Sequence, residues 1–90
     1  MAKKEKVTEI IDGDTFLTNI RKIPVRLDGV DTPEKRQPGY QQAKRKLESL
    51  IKDKEVTVDT VARDKYGRPV AKVKVDSHSV NKAMQKYRKK

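Results

Sequence analysis

The feature that most constrains this chain is a change in its hydrophobic period, from two residues to about 3.6, at Gly39. Before that point the apolar residues alternate or cluster in short β-branched runs. Residues 7 to 12 (VTEIID) and 15 to 20 (TFLTNI) read as two strands, and Asp12-Gly13-Asp14 has the chemistry of the reversal between them. A third run, Pro24 to Val30, puts Val25, Leu27 and Gly29 on one face and Arg26 and Asp28 on the other, so Arg26 is expected to leave the core side. Pro24 has no N–H to donate and suits a strand start or an edge.

After Gly39, Tyr40, Ala43, Leu47, Leu50 and Ile51 fall on one helical stripe, which predicts an amphipathic helix over residues 40–52. Its outer face carries Gln41, Gln42, Lys44, Arg45, Glu48 and Lys52. Alternation returns in Val56 and Val58 and again in Ala71, Val73 and Val75, on either side of the turn-prone DKYGRP of residues 64–69. That is the pattern of a hairpin with a sizeable loop. Val80, Ala83, Met84 and Tyr87 then repeat helically behind Ser79, a suitable N-cap. Three strands, a helix, two strands and a helix are the order of a mainly β (α+β) protein built as a five-stranded OB-fold barrel. An α+β sandwich with its helix packed on one sheet gives much the same pattern.

A chain of 90 residues with 33% hydrophobic residues builds one compact core and not two. Its longest apolar runs, such as Ile10-Ile11 and Leu50-Ile51, are far short of the roughly 20 residues that cross a bilayer. There is no cysteine, hence no disulfide, thiolate metal site or cysteine nucleophile. The charged start, Met1 to Lys6, is followed by no apolar stretch, so it does not read as a secretion signal, and a cytoplasmic or already processed protein is expected. Lys and Arg outnumber Asp and Glu by 23 to 13, for a net charge of +10, which makes a polyanion the natural partner. Nucleic acid is favoured over an anionic membrane surface, because neither helix has the broad bare apolar face that membrane binding needs.

Taken singly, the charged motifs have plain structural explanations. Asp12-Gly13-Asp14-Thr15 is a β-turn sequence and lacks the later ligands of an EF-hand. Asp31-Thr32-Pro33-Glu34 suits a helix start, with Thr32 as cap and Pro33 in the first turn. Arg26 and Arg68 add to a basic surface, Lys44, Arg45 and Lys46 to a solvated helix face, and Lys65-Tyr66 is a loop anchor or a cation beside a stacking platform. His78, the one histidine, is expected in the turn before the last helix and is not expected to act in catalysis. In combination they suggest more. Carboxylates with a backbone carbonyl offer hard oxygen ligands to Ca²⁺, and two guanidiniums can hold a phosphate, the mixture that phosphodiester cleavage requires.

The segments IIDGDTF, VRLDGVDTPE, GYQQAKRKL, DKYGRPVA and SVNKAM, in that order, resemble the staphylococcal nuclease-like (thermonuclease) family over nearly the whole chain. The resemblance implies a single nuclease-like OB-fold domain over residues 1–90, with basic tails at about 1–6 and 88–90. It implies a calcium-dependent nuclease that hydrolyses DNA, single- or double-stranded, and RNA to 3′-phosphate and 5′-hydroxyl ends, acting as a monomer without stable membrane association. Carried over by position, Asp14 and Asp31 are the calcium carboxylates, Thr32 gives its backbone carbonyl, and Asp12 is a nearby acid. Glu34 is the general base, Arg26 and Arg68 bind the scissile phosphate, and Lys65 and Tyr66 contact a neighbouring phosphate of the substrate. Two departures stand out: the segment between Glu34 and Gly39 is short, and the chain stops ten residues after Val80, without the further C-terminal helix common in the family. The rival expectation is a nucleic-acid-binding OB module that cuts weakly or not at all.

Overall fold

The computed structural model describes residues 4–87; the expected basic tail at 88–90 and the first three residues lie outside the described residues. The elements are β1 (Lys4–Asp12), β2 (Thr15–Thr18), β3 (Val25–Leu27), α1 (Tyr40–Ile51), β4 (Glu55–Arg63), β5 (Pro69–Val75), β6 (His78–Ser79) and α2 (Val80–Met84), the last continued by a 3-10 turn, Gln85–Tyr87. β1 pairs antiparallel with β2 and β4, β2 with β3, and β4 with β5, and a parallel β3–β5 pairing closes these five strands into a ring. The mostly antiparallel ring, with α1 between the third and fourth strands, is OB-fold-like, and the sandwich alternative is set aside.

Alternation in the strands and the helical stripe converge on one core. Val7, Phe16, Val25, Leu27, Val56 and Val73 from the strands meet Leu47 and Ile51 from α1 and Val80 and Met84 from α2, all at most 1% exposed. Leu50 and Tyr87 pack half-buried against its margin. Ser79 caps α2 as its position suggests, its hydroxyl accepting the Lys82 amide at 3.1 Å.

Several expected boundaries shift, each for a local reason. β1 begins at Lys4 rather than after a tail, because residues 4 to 6 pair with residues 55 to 57 of β4. β2 stops at Thr18, where Asn19 turns the chain by exchanging hydrogen bonds with the backbone of Lys6, and Ile20 lies 63% exposed. β3 is only three residues long, since Gly29 takes a left-handed φ of 72° and turns the strand away. No helix starts at Thr32-Pro33-Glu34. Pro38 disfavours a helical conformation for Gln37, and α1 opens only after Gly39, at φ 88°. His78 lies in the short strand β6 against Val75, not in a turn.

Two polar networks hold the ring. Glu5, 4% exposed, accepts Arg21 Nε at 2.8 Å, Arg21 Nη2 at 2.9 Å and the Thr18 hydroxyl at 2.8 Å. Asn81 on α2 accepts the Val73 amide at 2.8 Å and donates to the carbonyls of Asp28 at 2.8 Å and Ala71 at 3.0 Å. It thereby pins α2 across the parallel β3–β5 seam, where Arg26 faces Val70 and Leu27 faces Ala71.

Candidate functional site

The β1–β2 reversal brings Asp14 to the end of β2, and Gly13 permits it. A Cβ at Gly13 would stand 2.6 Å from the Ala43 Cβ and 2.8 Å from the Thr32 hydroxyl, so only glycine lets the turn approach both α1 and the loop after β3. Asp14 is buried. Its Oδ1 accepts the Thr15 hydroxyl at 2.9 Å, the Thr32 backbone amide faces its carboxylate, and its Oδ2 lies 3.6 Å from Arg26 Nη2.

Arg26 occupies the middle of the short β3, directed away from the core as the alternation predicts. The same Nη2 lies 3.7 Å from Asp31 Oδ1, so one guanidinium nitrogen bridges a buried carboxylate and one that is 73% exposed. Burial pushes the Asp14 carboxyl above its ordinary value, and the Asp12 charge adds to this. The Thr15 hydroxyl, the Arg26 charge and the Thr32 amide oppose that rise without cancelling it. Tyr40, at the start of α1, donates its hydroxyl to the Ile11 carbonyl at 3.1 Å. Burial first, then the Asp12 carboxylate, raise its phenol.

A second group forms at the β4–β5 loop. Arg68 Nε donates to Asp64 Oδ2 at 2.6 Å, while Asp64 Oδ1 accepts the amides of Tyr66 and Arg68, both at 2.9 Å. Lys65 Nζ and Arg68 Cζ stand 5.2 Å and 5.6 Å from the centre of the 72% exposed Tyr66 ring. Desolvation is the largest single influence on the Asp64 carboxyl and raises it, but the Arg68 amide and guanidinium and the Tyr66 amide together outweigh it and hold the group below its ordinary value. Because Arg26 pairs in register with Val70, Arg68 begins two residues, about 7 Å of strand, from the position opposite Arg26.

The fold therefore gathers Asp14, Arg26, Asp31 and the backbone of Thr32 at one place, with Asp12 and Tyr40 beside it, and Lys65, Tyr66 and Arg68 at a neighbouring loop. Glu34 stands apart from both. It is exposed; its amide donates to Gln37 Oε1 at 2.7 Å and its carbonyl accepts the Gln37 amide at 2.9 Å. Among the described residues no three His, Cys, Asp or Glu side chains gather as a metal-holding group. The donors still fit a hard divalent cation. Two carboxylates flank one nitrogen of Arg26, and burial disfavours a charge on Asp14 by more than Arg26 and its hydrogen bonds relieve, an imbalance that a bound cation would offset, with water left to complete the shell.

Sequence reasoning missed Asp64, the partner of Arg68, although Asp64-Lys65-Tyr66-Gly67 carries the signal of an Asx turn closing on a left-handed glycine, Gly67 at φ 82°. It also missed the Thr15 hydroxyl on Asp14 and the Tyr40 hydroxyl near Asp12. Thr32 Oγ1 is buried without a hydrogen-bond partner, a polar atom left over by the close packing of Gly13.

The sequence model of the family described as staphylococcal nuclease homologue matches residues 24–87, which include Arg26, Asp31, Thr32, Glu34 and the β4–β5 loop. An uncharacterized endonuclease of Escherichia coli O157:H7 is 34% identical over 82 residues, covering 88% of this chain and 54% of its own length. Another of Haemophilus influenzae is 38% identical over 84 residues, covering 90% of this chain and 47% of that protein. Protein ParB of Escherichia coli is 40% identical over 73 residues, covering 79% and 41%. The chain thus spans about half the length of the curated relatives it matches. With its closed ring of strands, and with the family match running from the start of β3 through the 3-10 turn, the chain belongs to the staphylococcal nuclease homologue family.

Proposed function

We propose that the protein is a calcium-dependent nuclease that hydrolyses phosphodiester bonds of DNA and RNA to 3′-phosphate and 5′-hydroxyl ends. The observation that carries this reading is the bridge from Arg26 to both Asp14 and Asp31, a cation and two acids of the kind that phosphoryl chemistry uses, in a chain of this family.

In this reading Asp14, Asp31 and the Thr32 carbonyl hold the calcium ion, with Asp12 supporting Asp14. The ion, when bound, supplies positive charge against the phosphate and a site for water. Glu34 accepts a proton from the attacking water. The water oxygen bonds to phosphorus, the P–O5′ bond breaks, and the departing oxygen takes up a proton to become the 5′-hydroxyl. Arg26 and Arg68 meet the charge that builds on the phosphoryl oxygens, their planar forks holding two oxygens where an ammonium holds one. Lys65 and Tyr66 engage a neighbouring phosphate and base. The exposed position of Glu34 and the pairing of Arg68 with Asp64 favour, as a second reading, a module that holds nucleic acid and cuts it weakly.

End-group analysis of digested oligonucleotides tests the first reading. It predicts 3′-phosphate products made only with calcium, and a loss of about 10²-fold in kcat for Arg26→Lys or Arg68→Lys. Binding without calcium-dependent products gives the case to the second reading.

A further inference from the structure

Two grooves meet along the outer face of α1. One, of about 710 Å³, runs from the loop after Glu34 to the first turns of the helix and is lined by Lys35, Arg36 and Arg45 with residues 37 to 42. The other, of about 690 Å³, continues from Gln42 and Arg45 past Lys46 to Tyr87, whose ring has Lys86 Nζ 5.6 Å from its centre. Gln42 and Arg45 line both, so the two form one track, and among the described residues no acidic side chain lines either. α1 adds no acid in its first turn and no side-chain cap over its leading amides. A third groove, between the start of β1 and the end of β5, sets Glu55 and Asp76 against Lys4 and Lys74, so an acid-free lining is not the default of this surface.

We propose that this track binds a single strand of nucleic acid, running from beside Glu34 along α1 to Tyr87. The strand's starting point rests on the nuclease reading above; the track itself rests on its lining. Arg36, Arg45 and Lys46 follow one another as phosphate partners along the backbone, and the aromatic side chain at the far end offers a base a stacking surface, the combination that tracks single strands without reading their sequence. None of Asp14, Arg26, Asp31 or Tyr66 lines the track, which meets the surroundings of that cluster only at Tyr40. The track would give long substrates an affinity that short ones lack.

The test is fluorescence anisotropy in chelator, with labelled oligothymidylates of about four and about sixteen nucleotides. The parent protein should bind the longer probe more tightly. Arg45→Gln/Lys46→Gln should remove most of that gain and lower the log–log salt slope for the longer probe by about 1.4, two phosphates at about 0.7 each, while leaving the shorter probe's affinity in place. Lys72→Gln/Lys74→Gln, an equal loss of charge on β5, should change both far less, and melting curves confirm that each variant is folded. Equal weakening by the two double variants, or no weakening by the first, overturns the track. Because cleavage is not the readout, a protein that bound this way without cutting would refute the nuclease reading and keep the track, and one that cut but showed no length dependence would do the reverse.

Discussion

Asp64 and Arg68 are joined twice: the Arg68 guanidinium donates to one carboxylate oxygen at 2.6 Å and the Arg68 amide to the other at 2.9 Å. The acid thus fixes both the direction of the arginine and the shape of the loop that carries Lys65 and Tyr66. Asp64→Ala should reduce nuclease turnover by about tenfold or more through misplacement of Arg68, with little change in overall fold. The stability that Asp64 contributes is pH-dependent. A carboxyl held below its unfolded value stabilises the protein above that unfolded value, and the contribution is lost as pH falls through the lowered one. Melting curves of parent and variant should differ at neutral pH and converge in strong acid.

Asp14 behaves in the opposite sense. Its raised carboxyl favours the folded state when protonated, an advantage complete below the unfolded value and lost as pH rises through the folded one. At neutral pH without metal the charge is therefore a burden, and Asp14→Asn should melt at the parent's temperature or slightly above it. Calcium should raise the melting temperature of the parent and not of the variant. Thermal melts with calcium and with chelator, repeated across pH, check both statements.

Gly13→Ala should cost about 1–3 kcal/mol, since its methyl group would press on the Ala43 Cβ and the Thr32 hydroxyl together. Chemical denaturation measures the loss. Cleavage should fall with it, because the same methyl displaces Thr32 from beside Asp14.

Asn81→Leu should be among the more destabilising single changes, by about 2–4 kcal/mol. It strands the Val73 amide and the Ala71 and Asp28 carbonyls at the β3–β5 seam. Denaturant unfolding should show the loss, and hydrogen exchange should show the Val73 amide newly unprotected.

The parts of the protein that depend on local rules were legible in the sequence. The stripe of Tyr40, Ala43, Leu47 and Ile51 is the buried face of α1, the Asp12-Gly13-Asp14 reversal joins β1 to β2, and Ser79 caps α2. The parts that depend on residues distant in sequence were not. Nothing near Asn81 tells that it will bond to Asp28, 53 residues away, and nothing near Glu5 announces Arg21 and Thr18 as its partners. At the site, the alternation in β3 correctly turned Arg26 outward, but its shared grip on Asp14 and Asp31 depends on where the loops meet. Thr32-Pro33-Glu34 has a composition that suits a helix start as well as a site, and composition alone does not choose between them. Pro38 and the left-handed Gly39 postpone the helix to Tyr40 and leave Glu34 on an exposed loop.

The most direct measurement is digestion of single- and double-stranded DNA by the parent protein and by Asp31→Asn, each with millimolar calcium and with chelator. Asp31 is mostly exposed, so its substitution tests the chemistry with little effect on folding. The account predicts cleavage by the parent in calcium alone, and almost none by Asp31→Asn in either condition. Equal cleavage in chelator, or cleavage by Asp31→Asn at the parent's rate, would contradict it.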